Sequence, residues 1–263
     1  MNSAQPTPTK TATDLHWNRR AAEERDDTTV NIGDTVQRAL ENDFILPRLP
    51  AAGRVLEIGC GNGYLTRLIR ERVAHVDAFD YAENMVARAI ERCGETNNRF
   101  FQDNLLAPER VRGPYDAAVC VRVLINLPDV AAQRAAIGTI AGWLRPGGRL
   151  ILVEGFADGF EALNALREKA GIAPMAPAAI NVYDCLDAMM PAIEAAFAVE
   201  ERFHSGMFDF LTRVVYPSLV GADRANGPAD FHKRIAPIAR AFNPEAMRPL
   251  ARLHGFLLTK RSG

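Results

Sequence analysis

The stretch Val55-Leu56-Glu57-Ile58-Gly59-Cys60-Gly61-Asn62-Gly63-Tyr64-Leu65 decides the fold of this 263-residue chain. It begins with an apolar run of strand length and continues into three glycines at alternate positions. Apolar residues at helical spacing then follow at Leu65, Leu68 and Ile69. Glycine tolerates positive φ and lets a ligand approach the backbone. The stretch therefore predicts a strand, a ligand-binding turn and a helix.

The spacing of the glycines restricts the ligand. In a dinucleotide site the third glycine lies three residues after the second, which is Tyr64 here. A phosphate-binding Walker loop needs a Lys-Ser or Lys-Thr pair after the turn, and none follows. Both observations disfavour a pyrophosphate ligand.

The same alternation of strand and helix repeats along the chain on both sides of residue 100. Runs that are apolar without interruption are typical of strands buried on both faces of a parallel sheet. Five successive units of this kind predict an α/β doubly wound fold. The expected strands are 54–58, 74–79, 99–102, 115–121 and 149–154, and an Ala-rich helix is expected at 131–144.

The flanking segments carry weaker patterns. Residues 15–49 predict one or two helices, with Asp34 as an N-cap. After Gly155 we expect helices at 160–170, at 184–197 and around 208–219, and strands at 198–204 and 254–260. We divide the chain into a disordered tail with an N-terminal helical lid (1–50) and one domain (51–263), whose substrate contacts come mainly from 155–250.

At this point the chain resembles a known family. Glu57-x-Gly59-x-Gly61-x-Gly63 is similar to motif I of the class I S-adenosylmethionine-dependent methyltransferases. Further matches follow in the family's order over residues 53–154: Asp80 in 79–85, Asp103 in 101–105, the segment 115–124, and the Leu-x-Pro-Gly-Gly turn in 143–150. The chain departs from the pattern after the fourth strand, where Leu-His-His-Leu is replaced by 124–127, so no histidine is carried over.

The resemblance implies a Rossmann-like seven-stranded sheet with an N-terminal helical lid and a helical insertion before the last strand. It implies S-adenosyl-L-methionine as cofactor and S-adenosyl-L-homocysteine as product. Glu57 would attract the cofactor's ammonium group, Asp80 would hold the ribose hydroxyls, and Asp103 would hold the adenine amino group. The full expected cofactor set is Glu57, Gly59, Gly61, Gly63, Asp80, Met85, Asp103, Asn104, Leu105 and Arg122.

Residues that contact the acceptor are harder to identify. His204 is a candidate catalytic base because it follows a predicted strand and imidazole titrates near neutral pH, although a hydrogen-bonded loop histidine gives the same pattern. Glu154 ends the fifth strand, and Asn181 with Tyr183 either orients an acceptor or caps the next helix. Residues of the lid that could face the site are Trp17, Asn31, Ile32 and Arg38, which serve equally well in packing.

Composition restricts the partners. The 31 Lys+Arg and 32 Asp+Glu residues are mixed along the chain, which disfavours nucleic acid as a partner. We find no secretory signal and no run long enough for a membrane span, and expect a cytoplasmic protein. The four cysteines are widely spaced, so no metal site is expected.

The function predicted from these patterns is methyl transfer from S-adenosylmethionine to an O, N or C nucleophile of a small molecule, with specialised metabolism as one setting. The Met- and Phe-rich region after residue 170 favours a partly apolar acceptor. The alternatives are a nicotinamide-dependent oxidoreductase, an aminopropyl transferase and a non-catalytic scaffold that binds S-adenosylmethionine.

Overall fold

The computed structural model describes residues 11–24, 29, 33–94, 96–225 and 230–261. These residues form a seven-stranded sheet of order β3-β2-β1-β4-β5-β7-β6. The strands are β1 (Arg54–Ile58), β2 (His75–Asp80), β3 (Asn98–Gln102), β4 (Tyr115–Val121), β5 (Leu144–Gly155), β6 (Phe197–His204) and β7 (Leu253–Lys260). Strands β1 to β5 pair in parallel, whereas β7 is antiparallel to both β5 and β6. The strand order reverses between β1 and β4, which is where an open α/β sheet leaves a crevice for a ligand.

Helices cover both faces of this sheet. Asp34 caps the second helix as predicted, because its side chain accepts hydrogen bonds from the N–H groups of Val36 and Gln37 at 3.2 and 3.0 Å. The helices are α1 (Ala12–Glu23), α2 (Thr35–Ile45), α3 (Tyr64–Arg70), α4 (Glu83–Cys93), α5 (Val130–Trp143), α6 (Ala157–Lys169), α7 (Leu186–Ala196), α8 (Gly206–Phe210), α9 (Tyr216–Val220) and α10 (Asp230–Ala241).

Two hydrophobic cores lie on opposite faces of the sheet. Alternate residues of β5 show the division, since Leu150 and Leu152 pack with α5 and α7 while Ile151 and Val153 pack on the other face. The second core also contains Phe44 and Ile45. The end of α2 is thus part of the folded domain and positions the rest of that helix over the sheet edge.

The structure confirms the doubly wound sheet and refines its ends. Strand β5 begins at Leu144, earlier than the predicted 149, because Leu144 pairs with Tyr115 before a register shift brings Arg149 opposite Ala117. The helix expected around 208–219 is α8, a π-helical turn at Leu211–Val215 and α9. The predicted tail covered residues 1–14, but α1 already begins at Ala12, because the side chain of Thr11 caps it. Residues 1–10 of that tail and the lid residues Asn31 and Ile32 lie outside the described residues.

Candidate functional site

A cavity of about 450 Å³ lies at the carboxyl edge of the parallel strands, between the glycine turn and the N-terminal helices. Its volume falls in the usual range for small-molecule sites. We call its two ends the cofactor end, at the glycine turn, and the acceptor end. The acceptor end is lined by Arg38, Glu41, Arg122, Asn181, Tyr183 and Arg252.

The glycine turn is shaped for close approach. Gly59 has a φ of +69°, and a Cβ there would lie 2.4 Å from Cγ2 of Val123. Gly61 has a φ of +53° and donates its N–H to Oδ2 of Asp80 at 2.8 Å. The other carboxylate oxygen of Asp80 accepts from the N–H of Ala82 at 2.9 Å. Asp80 therefore fastens the turn to the end of β2 while it lines the cavity.

Gly63 lies where two helices pack closely. It has a φ of +76°, and a Cβ there would lie 2.8 Å from Sγ of Cys93 and 3.1 Å from Cβ of Ala89. Gly63 is not among the described residues that line the cavity. This glycine lets α3 pack against α4, and its predicted contact with the cofactor stays a prediction.

Glu57 lies at the cofactor end with an unsatisfied carboxylate. Its side chain is 3% exposed, and Oε2 has no hydrogen-bond partner in the described part of the chain. Burial, and to a lesser extent the nearby charge of Asp80, raises the pKa of Glu57 to about 8. An ammonium group at this position would offset the cost of burying the charge. The site therefore fits the aminoacyl part of S-adenosylmethionine.

The carboxylate of Asp103 accepts hydrogen bonds from the backbone of its own loop. Its two oxygens accept the N–H groups of Asn104, Glu109, Arg110 and Val111 at 2.8 to 2.9 Å. Although burial opposes ionisation, these hydrogen bonds lower the pKa of Asp103. These four bonds use the usual acceptor capacity of the carboxylate, so its contact with an adenine amino group stays a prediction. Asp103 lines the cavity wall together with Asn104 and Leu105.

The acceptor end combines side chains that the sequence analysis predicted with others that belong to no recognised motif. Asn181 donates its amide to Oη of Tyr183 at 3.2 Å, and both line the cavity, as do Met85 and Arg122. Arg122 has a φ of +55° and donates to Oε1 of Glu41. Sequence reasoning missed Glu41. The available signal was its place one helical turn after Arg38, on the face of α2 that covers the sheet edge.

The structure corrects the role predicted for His204. It lines a second cavity, of about 490 Å³, with Phe44 and Phe203. Its Nδ1 accepts the N–H of Gly206 at 3.3 Å, and burial lowers the pKa of the imidazole. Within the described residues His204 is not part of the main cavity, so it lacks the access to substrate that a base requires.

Glu154 is likewise placed behind the cavity wall. Its oxygens accept the N–H groups of Leu124 at 2.7 Å and Gly155 at 2.8 Å. Burial raises its pKa to about 7. These contacts hold the turn after β4 against β5, which replaces the predicted substrate contact with a structural one.

The described residues contain no group of His, Cys, Asp and Glu side chains arranged to hold a metal ion. None of their helices has the length and apolar character needed to cross a membrane.

Comparison with known proteins agrees with this geometry. A curated relative, the ubiquinone biosynthesis O-methyltransferase of Xylella fastidiosa (strain 9a5c), is 35% identical over 116 residues, which are 42% of this chain and 45% of the relative. The chain thus matches less than half the length of this relative.

Solved structures share the fold over nearly the whole chain. The N-methyltransferase NodS from Bradyrhizobium japonicum WM9, in complex with S-adenosyl-L-homocysteine, aligns with a TM-score of 0.60 and 16% identity over 96% of this chain and all of that one. The [4+2]-cyclase SpnF aligns with a TM-score of 0.59 and 17% identity over 99% of this chain and 100% of that one.

The family model described as a methyltransferase domain matches residues 27–186, which include the glycine turn, Asp80 and most of the cavity wall. This chain belongs to the class I S-adenosylmethionine-dependent methyltransferase family.

Proposed function

We propose that this protein transfers the methyl group of S-adenosylmethionine to a small-molecule acceptor. The observation that carries the proposal is the cavity itself, which joins the glycine turn and the unsatisfied carboxylate of Glu57 to a polar acceptor end under α1 and α2. When bound, S-adenosylmethionine supplies a methyl group on a positively charged sulfonium, which is a good leaving group.

The residues at the cofactor end have distinct proposed roles. Glu57 pairs with the ammonium group, and Asp80 accepts hydrogen bonds from the ribose through the acceptor capacity left beyond its bonds to Gly61 and Ala82. Met85 and Leu105 are buried apolar residues of the wall and suit the adenine ring. The protein then contributes positioning and the exclusion of water.

The acceptor end favours a small, partly apolar molecule with a polar group. Tyr64, Ile125, Ile180 and Tyr183 line the cavity beside charged side chains. The near balance of 31 basic and 32 acidic residues also supports a small molecule rather than a nucleic acid. The relatives named as ubiquinone biosynthesis O-methyltransferases make a hydroxyl group the first acceptor to test.

Calorimetric titration tests the cofactor, with S-adenosylmethionine, S-adenosylhomocysteine and NAD measured side by side. Micromolar binding of the first two and none of NAD is expected, whereas binding of NAD alone would favour hydride chemistry. Formation of S-adenosylhomocysteine with a panel of hydroxyl and amine acceptors then tests transfer. A protein that binds the cofactor but methylates no acceptor would be a scaffold or, like the solved cyclase, an enzyme of another class.

A further inference from the structure

Glu41 stands out as a buried carboxylate at the acceptor end. It lies on α2, its side chain is 1% exposed, and it lines the cavity. Oε1 accepts a hydrogen bond from the guanidinium of Arg122, but Oε2 has no partner within the described ranges. A buried carboxylate oxygen without a donor is costly unless a ligand supplies one.

The residue that holds Glu41 is itself held in an uncommon conformation. Arg122 directly follows β4 with a φ of +55°, a region that non-glycine residues rarely occupy. Its carbonyl accepts the side-chain amide of Asn126 at 2.8 Å, and its N–H donates to the carbonyl of Val153 at 2.8 Å. Backbone strain of this kind persists where surrounding contacts enforce it, and it clusters at active sites. The geometry therefore fixes Arg122, which in turn orients Glu41.

We propose that Glu41 is the general base of methyl transfer and that the acceptor is a hydroxyl compound, an inference that rests on the proposed function. Oε2 of Glu41 accepts the hydroxyl proton as the acceptor oxygen forms its bond to the methyl carbon and the carbon–sulfur bond breaks. The sulfur keeps the bonding electron pair and leaves as the neutral thioether. The proton on Glu41 is then released to solvent.

The charges around Glu41 set the pH range in which it can act. Arg38 lies one turn earlier on α2, Arg122 approaches from the end of β4, and Arg252 approaches from the start of β7, where Asp209 neutralises it. Burial is the largest influence and raises the pKa of Glu41, although Arg122 and Arg252 oppose it. A base must be deprotonated, so activity should rise with pH as Glu41 ionises.

The test compares wild type with Glu41→Gln on catechol, 1-naphthol and benzylamine as acceptors. We expect wild type to methylate at least one hydroxyl compound. Glu41→Gln should then lose about 100-fold or more in kcat and the rise of kcat with pH, while its Kd for S-adenosylmethionine stays within about threefold. Asp43→Asn is the matched control, because Asp43 lies on the same helix but lines the second cavity, and its kcat should be unchanged.

Each other result has a definite meaning. Full activity of Glu41→Gln, or a loss of cofactor affinity in place of kcat, would overturn the assignment of the base and leave the proposed function standing. A wild type that binds the cofactor but methylates no hydroxyl compound would contradict the proposed acceptor class and the base together. If Glu41→Gln does not fold, Glu41→Asp keeps the question open to test, because we expect it to retain the pH dependence with a lower kcat, and an unchanged kcat would contradict the proposal.

Discussion

Glu57, which we propose pairs with the ammonium group of the cofactor, is protonated in the free protein at neutral pH. Because burial raises its pKa to about 8, the side chain is mostly protonated at pH 7 in the free protein. An ammonium group that binds beside it favours the ionised form. We therefore expect cofactor binding at pH 7 to release about one proton. Calorimetry with S-adenosylhomocysteine in two buffers of different ionisation enthalpy measures this number directly.

The Glu57→Gln variant is the control for that proton. It keeps the shape of the side chain but cannot ionise, so binding should release no proton and affinity should fall. Proton release that persists in this variant would assign the effect to another group. In the free wild-type protein, the raised pKa also means that stability falls as pH rises from about 4.5 towards 8, as Glu57 is forced to ionise.

Asp80 and Asp103 both lie at the carboxyl end of a strand of the sheet, but we expect their replacement by alanine to have different effects. Asp103→Ala leaves N–H groups of its loop without partners and should lower the free energy of unfolding by about 1–3 kcal/mol. Asp80→Ala also leaves the N–H groups of Gly61 and Ala82 without partners, but in addition it should weaken S-adenosylmethionine binding by about 1–3 kcal/mol, which Asp103→Ala should not. Denaturant titration and calorimetry on both variants separate the two effects. Asp129→Ala, which removes a single cap bond from Ala132, sets the scale at about 1 kcal/mol of stability.

The central strands of the parallel sheet were predictable because burial on both faces selects apolar residues along them. Strands β1 and β4 are buried on both faces, so their sequences are mostly apolar, and Gly59 and Gly61 mark the turn by their positive φ. The segment between β6 and β7 was less predictable. Pro217 lies in the first turn of α9 and Pro237 lies inside α10. Proline usually marks the end of a helix in a sequence, so the continuous helix Asp230–Ala241 could not be predicted from this pattern.

At the acceptor end, Asn181, Tyr183 and Arg122 were predicted as site residues, whereas Glu41 and Arg252 were not, for a different reason. Glu41, Arg122 and Arg252 come from α2, the end of β4 and the start of β7, and no local spacing relates them. His204 and Glu154 carried the right chemistry at plausible strand ends, but the details of packing turn them away from the cavity. Residue type and strand order locate the edge of a sheet, whereas side-chain direction at that edge depends on the tertiary fold.

Helix α1 forms the cover of the cofactor end. Trp17 donates its indole N–H to Oδ1 of Asn126 at 3.2 Å and packs against Ala82 and Met85. Trp17→Ala should therefore speed cofactor release and raise the Kd about tenfold, with the change mainly in the dissociation rate. Stopped-flow displacement of S-adenosylhomocysteine measures that rate. Leu15→Ala on the same helix is the matched control, since Leu15 is 57% exposed, and an equal effect of both variants would mean that α1 acts only through its general stability.

The molecule as a whole joins the region that the family model matches to a further segment of short helices. The family model ends at residue 186, before the short helices between β6 and β7. Those helices contact the lid through a buried cluster in which Asp34, the cap of α2, accepts hydrogen bonds from Arg213 at 3.0 Å and faces Nδ1 of His232 at 3.0 Å. The cluster therefore couples α2, the helix that carries Glu41, to the segment between β6 and β7.

Asp34 is the residue on which this coupling depends. Although burial opposes its ionisation, His232, the amide of Gln37 and Arg213 together hold the pKa of Asp34 far below its usual value. A lowered pKa contributes stability that is present above the unfolded pKa near 3.8 and is lost as pH falls. Asp34→Ala should cost about 3–5 kcal/mol at pH 7, because it removes the cap and leaves Arg213 buried without its partner. Asp34→Asn keeps a capping side chain and removes only the charge. Its loss in free energy of unfolding should therefore be smaller, and this loss should shrink at acid pH. Urea titrations at pH 7 and pH 3 measure both variants, because the contribution of the charge declines only below the unfolded pKa near 3.8. Equal losses of Asp34→Asn at the two pH values would mean that the charge of Asp34 does not hold α2 to the helices between β6 and β7.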